Sequence, residues 1–229
     1  LVLISESNTQ LQQMMETLHS ASIRVGLEMN LSKTMAMTNR WRNLVTIHGL
    51  ISFDRKNNEL EVKRRIQQTW NKYWSLKEIF KSNLPTSIKT KVMNSNLLPS
   101  LTYGCQTWKF TSKIKNLITT CQRGLERSML KIKKADKIRH TKIRSITKAT
   151  NALSYAQKLK WKWAGHVARI KDKRWTKKVT FWKGPSGKRS RGRPLTRWDE
   201  EIIRTAGPNW KQVAQDRVKW ADLEEAFTQ

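Results

Sequence analysis

Acidic side chains are scarce in this sequence. Its 229 residues hold 17 Asp and Glu against 46 Lys and Arg, a formal net charge of +29. So large an excess repels itself in any compact state. That argues against acid-rich binding modules and most small-metabolite enzymes, and for a polyanionic partner, nucleic acid first. Cysteine is nearly absent: Cys105 and Cys121 make neither a disulfide framework nor a closely spaced zinc pair. A reducing compartment is the simplest reading. No apolar run approaches the roughly 18 residues that span a bilayer, and no charged-then-apolar leader opens the chain, so no membrane partner is expected. The first residue is Leu1, not Met, inside the apolar run Leu1-Val2-Leu3-Ile4. The expectation is a piece of a longer protein, cut through a strand.

Tryptophan, by contrast, is abundant. Eleven of them are too many for a disordered basic tail. The charge is also unevenly spread. Residues 1–61 hold six basic and six acidic residues, and 62–197 hold 36 basic and four acidic (Glu78, Glu126, Asp136, Asp172). Residues 198–229 hold four basic and seven acidic, so composition places boundaries near 60 and 190.

Periodicity predicts a mainly α protein with a small α/β remnant at its start. Residues 1–4 read as a buried strand. Ser7 with Gln10 reads as a capping box, and Leu11, Met14, Met15, Leu18 and Val25 mark one helical face that Gly26 ends. Leu27, Met29 and Leu31 then alternate with polar residues, the period of a strand. From about residue 59 the period is helical, with Val62, Ile66, Trp70, Tyr73, Trp74 and Phe80 as the stripe. A second helix follows Pro85, with Ile88, Val92 and Leu97 on one face, and stops at Pro99. A third from Ser112 carries Ile114, Leu117, Ile118, Cys121, Leu125 and Met129, and a fourth carries Ile138, Ile143 and Ile146. The fifth, near 154–170, carries Leu159, Trp163, Val167 and Ile170. Residues 171–194, with their glycines and prolines, read as an extended loop. Two final helices are expected, at 196–206 and 208–225, fastened together by Trp198, Trp210 and Trp220.

Six local patterns then fall in one order. They are Leu1-Val2-Leu3-Ile4-Ser5, then Gly26-Leu27-Glu28-Met29-Asn30-Leu31-Ser32-Lys33-Thr34, then Pro99 with Tyr103-Gly104 and Trp108. Farther on come Trp163 with Gly165-His166-Val167 and Arg169, then Gly192-Arg193-Pro194 with Arg197-Trp198, and last Trp210 with Ala214, Asp216, Arg217 and Trp220. In this order the chain resembles the C-terminal part of non-LTR retrotransposon endonuclease–reverse transcriptases. The resemblance implies the end of a polymerase palm over 1–58, a helical thumb over 59–135 and a basic C-terminal helical domain over 136–229. It implies an RNA template and DNA (primer, cDNA and target site) as partners, with upstream palm, fingers and endonuclease domains in the same polypeptide, inside the cell in nucleus and cytoplasm. It also implies magnesium for the full-length polymerase, since nucleotidyl transfer uses two metals clamped by carboxylates. The family's Asp-Asp pair would precede Leu1 and is not in this sequence. Glu6, Glu16, Glu28, Asp54, Glu59 and Glu61 show no such paired spacing. The chain alone is therefore expected not to polymerise DNA and to carry no cofactor. The segment Ile47-His48-Gly49-Leu50-Ile51-Ser52 stands where relatives carry a longer connection and a primer grip, so a deletion there is one reading.

The candidate site residues follow. By the resemblance, Lys33 is a candidate general acid toward departing pyrophosphate. Lys63, Arg64, Arg65 and Lys72 flank the first thumb helix and are read as phosphate contacts, with Trp70 and Trp74 packed in the core beside them. Lys188, Arg189, Arg191, Arg193 and Arg197 lie in or just after the Gly/Pro-rich loop. There an extended arm can enter a minor groove, or serve as a nuclear address. Cys105, Cys121, His140 and His166 lack zinc-ligand spacing, so no metal is assigned, and His166 is read as a packed, hydrogen-bonded side chain beside a tight contact at Gly165. The rival reading is a stand-alone, non-enzymatic helical nucleic-acid-binding protein. A basic scaffold for acidic proteins fits the charge but does not predict the ordered patterns.

Overall fold

The computed structural model describes residues 3–30, 36–38, 50–52, 57–172, 174–181 and 197–228. It divides into Leu1–Asn57 and Asn58–Gln229. In the first unit, α1 (Asn8–Arg24) begins where Ser7 Oγ accepts the Gln10 N–H at 3.2 Å. It ends in a Schellman turn. Gly26 sits at φ 74°, so its N–H reaches Ile23 O and the Leu27 N–H reaches Ser22 O at 2.9 Å. The strands differ from the expectation: residues 3–5 and 27–30 are not strand. A strand needs a neighbour in a β-ladder, and among the described residues neither stretch is part of one. Instead β1 (Ala36–Thr38) pairs in parallel with β2 (Leu50–Ser52), Ala36 opposite Leu50.

The second unit is helical. In α2 (Asn57–Ser75), Val62 and Tyr73 are fully buried, with Ile66 and Trp70 packed partly beside them. Trp74 departs from the expected core stripe: it is 51% exposed and stacks on Trp70. In α3 (Lys77–Lys81), Phe80 stacks on Tyr73 at 4.7 Å. After Pro85, α4 (Thr86–Val92) runs through a π-helical turn, Met93–Leu97, into α5 (Leu98–Thr102). Pro99 therefore does not stop the helix. The π turn resets the ladder, with the Leu98 N–H bonded to Met93 O, and Pro99 lies in the first turn of α5 where its missing donor costs nothing. Ile88, expected on the core face, is exposed.

Next, α6 (Ser112–Met129) starts at Thr111, whose hydroxyl accepts the Ile114 N–H, and it buries Ile114, Ile118, Cys121, Leu125 and Met129 as its period requires. In α7 (His140–Thr147), Ile143 is buried but Ile146 is exposed. Asn151 caps α8 (Ala152–Arg169) through Oδ1. The expected face of α8 is only partly the buried one: Val167 is fully buried, but Leu159, Trp163 and Ile170 are half-buried, and Ala156, Lys160, Trp161, Ala164, Gly165 and Ala168 make up most of the inner face. Small residues make the inner face because close helix contacts need them, and a count of large apolar residues passes over them.

A further helix, α9 (Trp175–Phe181), occupies ground expected to be loop, since the glycines and prolines begin only at Gly184. Then α10 (Glu200–Ala206) ends at Gly207, φ 81°. The expected last helix is three: α11 (Trp210–Val213), α12 (Arg217–Asp222) and α13 (Glu224–Thr228). Asp216 makes the first of the two breaks. Its carboxylate accepts the N–H groups of Val218 and Lys219 and so restarts the helix.

Two apolar clusters fill this unit. One joins α2 to α6 and the start of α8; the other joins the rest of α8 to α10–α13. At the centre of the second, Trp161 and Trp220 lie 3.9 Å apart and 7° from parallel. Each indole N–H donates to the other residue's carbonyl, at 2.8 and 3.1 Å. Gly165 makes room for this clasp. A Cβ there would stand 2.7 Å from Trp220 Cδ1 and closer still to Nε1. Lys160, fully buried, donates to Trp108 O at 2.9 Å and Glu201 Oε2 at 3.0 Å, and Trp198 donates to Gln106 O. Trp198, Trp210 and Trp220 thus join the closing helices, as expected, and also tie them to the 105–108 turn.

Gly165→Ala should overpack this site and lower stability by about 1–3 kcal/mol, read as a fall in the urea midpoint; an unchanged midpoint would show that the clasp yields freely.

Candidate nucleic-acid interface

Among the described residues nearly all the positive charge lies in Asn58–Gln229, and the acids there are mostly committed. Glu59 pairs with Lys63 and Lys113, each at 2.8 Å, and these two ammoniums hold its carboxyl down to about 2. Glu61 pairs with Arg64 at 2.9 Å and Arg65 at 2.7 Å. Two carboxylates thus serve four cations and leave a surplus of positive charge on α2. Lys63 and Arg64 are exposed, whereas Arg65 is half-buried over the Tyr103 ring, its guanidinium carbon 4.4 Å from the centroid. Lys72, exposed two turns farther along the same face, has its ammonium 3.4 Å from Ser100 Oγ.

Lys33, Lys188, Arg189, Arg191 and Arg193 lie outside the described residues. Arg197, half-buried, donates its backbone N–H to Glu200 Oε1 at 2.9 Å, just ahead of α10. The spacing of Arg65 and Lys72 brings them to one face of α2.

A denser basic element was not singled out from the sequence. Residues 131–148 carry Lys131, Lys133, Lys134, Lys137, Arg139, Lys142, Arg144 and Lys148 against one acid, Asp136. The signal was present in that ratio. The backbone adds something the sequence does not announce: Lys131, Lys137 and Lys148 have φ of 60°, 51° and 50°. Lys131 closes α6 in a Schellman turn, with its own N–H on Ser128 O and the Ile132 N–H on Arg127 O. Lys148 closes α7 with its N–H on Arg144 O at 2.8 Å. These are positions that glycine fills more cheaply. A lysine there costs about 1–2 kcal/mol of backbone strain, offset in part by its charge at a helix C-terminus.

Beneath this element Glu126 is fully buried. Its Oε1 accepts from Gln122 at 2.8 Å, and its Oε2 lies 3.2 Å from His140 Nε2. Burial pushes the Glu126 carboxyl up and the His140 imidazole down, the latter helped by Arg123, Arg144 and Arg127. Burial also pushes the Cys105 and Cys121 thiols up to about 12, so neither is a ready ligand. His166 is exposed, 5.7 Å from the Trp163 ring, and not packed as expected; the tight contact at Gly165 belongs to Trp220. Among the described residues no three His, Cys, Asp or Glu side chains come together to hold a metal, and none of the helices is long and apolar enough to cross a membrane. The described residues do not fit a magnesium site.

The chain is similar to a Caenorhabditis elegans protein whose name calls it transposon-derived. The two are 28% identical over 252 aligned positions, which take in 96% of this chain and 90% of that protein. The likeness supports a transposable-element origin. No protein-family model matches the chain, and no solved structure matches it.

If the left-handed lysines are kept for their charge, replacing them trades function for stability. Lys131→Gly with Lys148→Gly should hold or raise the melting temperature while weakening binding to a nucleic-acid duplex; a melting temperature that falls, or binding that is unchanged, would contradict this.

Proposed function

We propose that this chain is the nucleic-acid-gripping C-terminal part of a retrotransposon reverse transcriptase of the non-LTR kind. It holds RNA template and DNA through phosphate contacts, and an acidic metal centre outside this sequence performs the chemistry. The observation that carries the reading is the charge asymmetry of a folded, tryptophan-rich helical unit: 36 basic residues against four acidic between 62 and 197. The transposon-derived relative and the ordered motifs support the element of origin. An A-form hybrid offers backbone and shape in preference to readable base edges, and scattered Lys and Arg around rigid helices suit that task.

A second reading has one observation in its favour. The shared region makes up 90% of the transposon-derived relative, so that protein has little outside it. A stand-alone, non-enzymatic nucleic-acid-binding protein descended from an element would have that extent. Both readings require the same grip.

Affinity for a blunt duplex, measured across a salt series, tests it. With about eight phosphates neutralised, log K should fall against log salt with a slope near −7, equally for unrelated sequences. An affinity that barely responds to salt would contradict the proposal.

A further inference from the structure

We infer that the surface joining α2 to the turn after α5 is a stacking site for one unpaired base of a single strand, with its phosphate on Lys72. The inference rests on the nucleic-acid reading above and adds a second mode of contact to it. Tyr103 is 66% exposed, although a phenol ring of that size is ordinarily turned inward. One face is covered by the Arg65 guanidinium, and the rest of the ring stands open to solvent. Arg65 is itself immobilised: its side chain is only 15% exposed, and it donates to Glu61 at 2.7 Å and to Gln68 Oε1 at 3.2 Å. The ring therefore has a rigid, cationic backing, which strengthens stacking of a base on its outer face.

The surroundings supply what a nucleotide needs. Residues 65, 68 and 72 share one face of α2 by helical spacing. That face holds, in order, the guanidinium, an amide whose Nε2 remains a donor toward a base edge, and an ammonium for a phosphate. Ser100 Oγ, 3.4 Å from Lys72 Nζ, marks where α5 closes the other side. Gly104, at φ 74°, turns the chain away directly after the ring, and a Cβ there would meet nothing within 4 Å. The approach is open. Trp74 and Trp175 are also exposed, but neither has such a group of polar partners. A base within a duplex is already stacked on both faces, so the site selects single strands.

The test uses the full chain, with labelled oligo(dT) and oligo(U) of about 12 nucleotides, the same strands with one abasic position, and a blunt duplex. Tyr103→Ala should weaken single-strand binding about tenfold, within the range expected for one stacked base, and leave the duplex unchanged. Tyr103→Phe should bind like the parent, and the tyrosine's exposure predicts an unchanged melting temperature for both variants. Abasic strands should show a smaller loss on Tyr103→Ala. A loss confined to oligo(U) or oligo(dT) would support the site and identify the strand as RNA or DNA. Salt-dependent binding by the parent with no loss in Tyr103→Ala, or an equal loss on duplex, would overturn this site and leave the phosphate grip standing. Failure of the parent to bind any of the probes would remove both.

Discussion

The two apolar clusters of the described residues after 57 meet on α8. Its inner face is narrow because Ala156, Ala164, Gly165 and Ala168 are small, and the neighbouring elements approach closely there. Trp161 and Trp220 use that closeness to stack and to exchange hydrogen bonds with each other's backbone, so one contact supplies burial, ring geometry and satisfied indole donors together. Lys160 extends the same logic. A buried ammonium is costly unless it is paired, and this one is held by Glu201 and Trp108 O, with the Trp198 ring 5.2 Å away. The closing helices, the 105–108 turn and α8 are joined through it.

That internal economy bears on the surface. The few acids in this unit go to structural tasks: Glu201 to Lys160, Glu126 to a buried polar cluster, Asp216 to a helix cap, Glu59 and Glu61 to α2. Few remain to neutralise the outward cations. Lysines at left-handed positions push the same way, keeping charge where glycine would relieve the backbone. A protein selected for stability alone would do neither. Under the proposed function, a polyanion that neutralises the surface would restore the balance.

Much of this was legible in the sequence, unevenly. Ser7 and Gly26 mark helix ends because caps act locally, and the α6 face follows its apolar period because that helix buries large residues. On the inner face of α8 only Val167 was named; the rest was missed because alanine and glycine carry little hydrophobic signal, and the buried Lys160 because nothing local distinguishes it from a solvated lysine. Pro99 misled because the π turn before it is a tertiary outcome. At the candidate site, Arg65 and Lys72 were named as simple phosphate contacts. That they share a surface with Tyr103 and Ser100 depends on how α5 packs, which no spacing reveals. The density of lysine in 131–148 could have been read directly; the left-handed backbone of three of them could not.

The central claim is that this folded unit grips nucleic acid with its uncompensated lysines. Acetylation footprinting of the full chain, with and without an RNA–DNA hybrid, tests it residue by residue. The account predicts that Lys72, Lys131, Lys134, Lys142 and Lys148 lose reactivity when the hybrid is present, while Lys160, already buried, is unreactive throughout. The same acetylation pattern with and without saturating hybrid would contradict it.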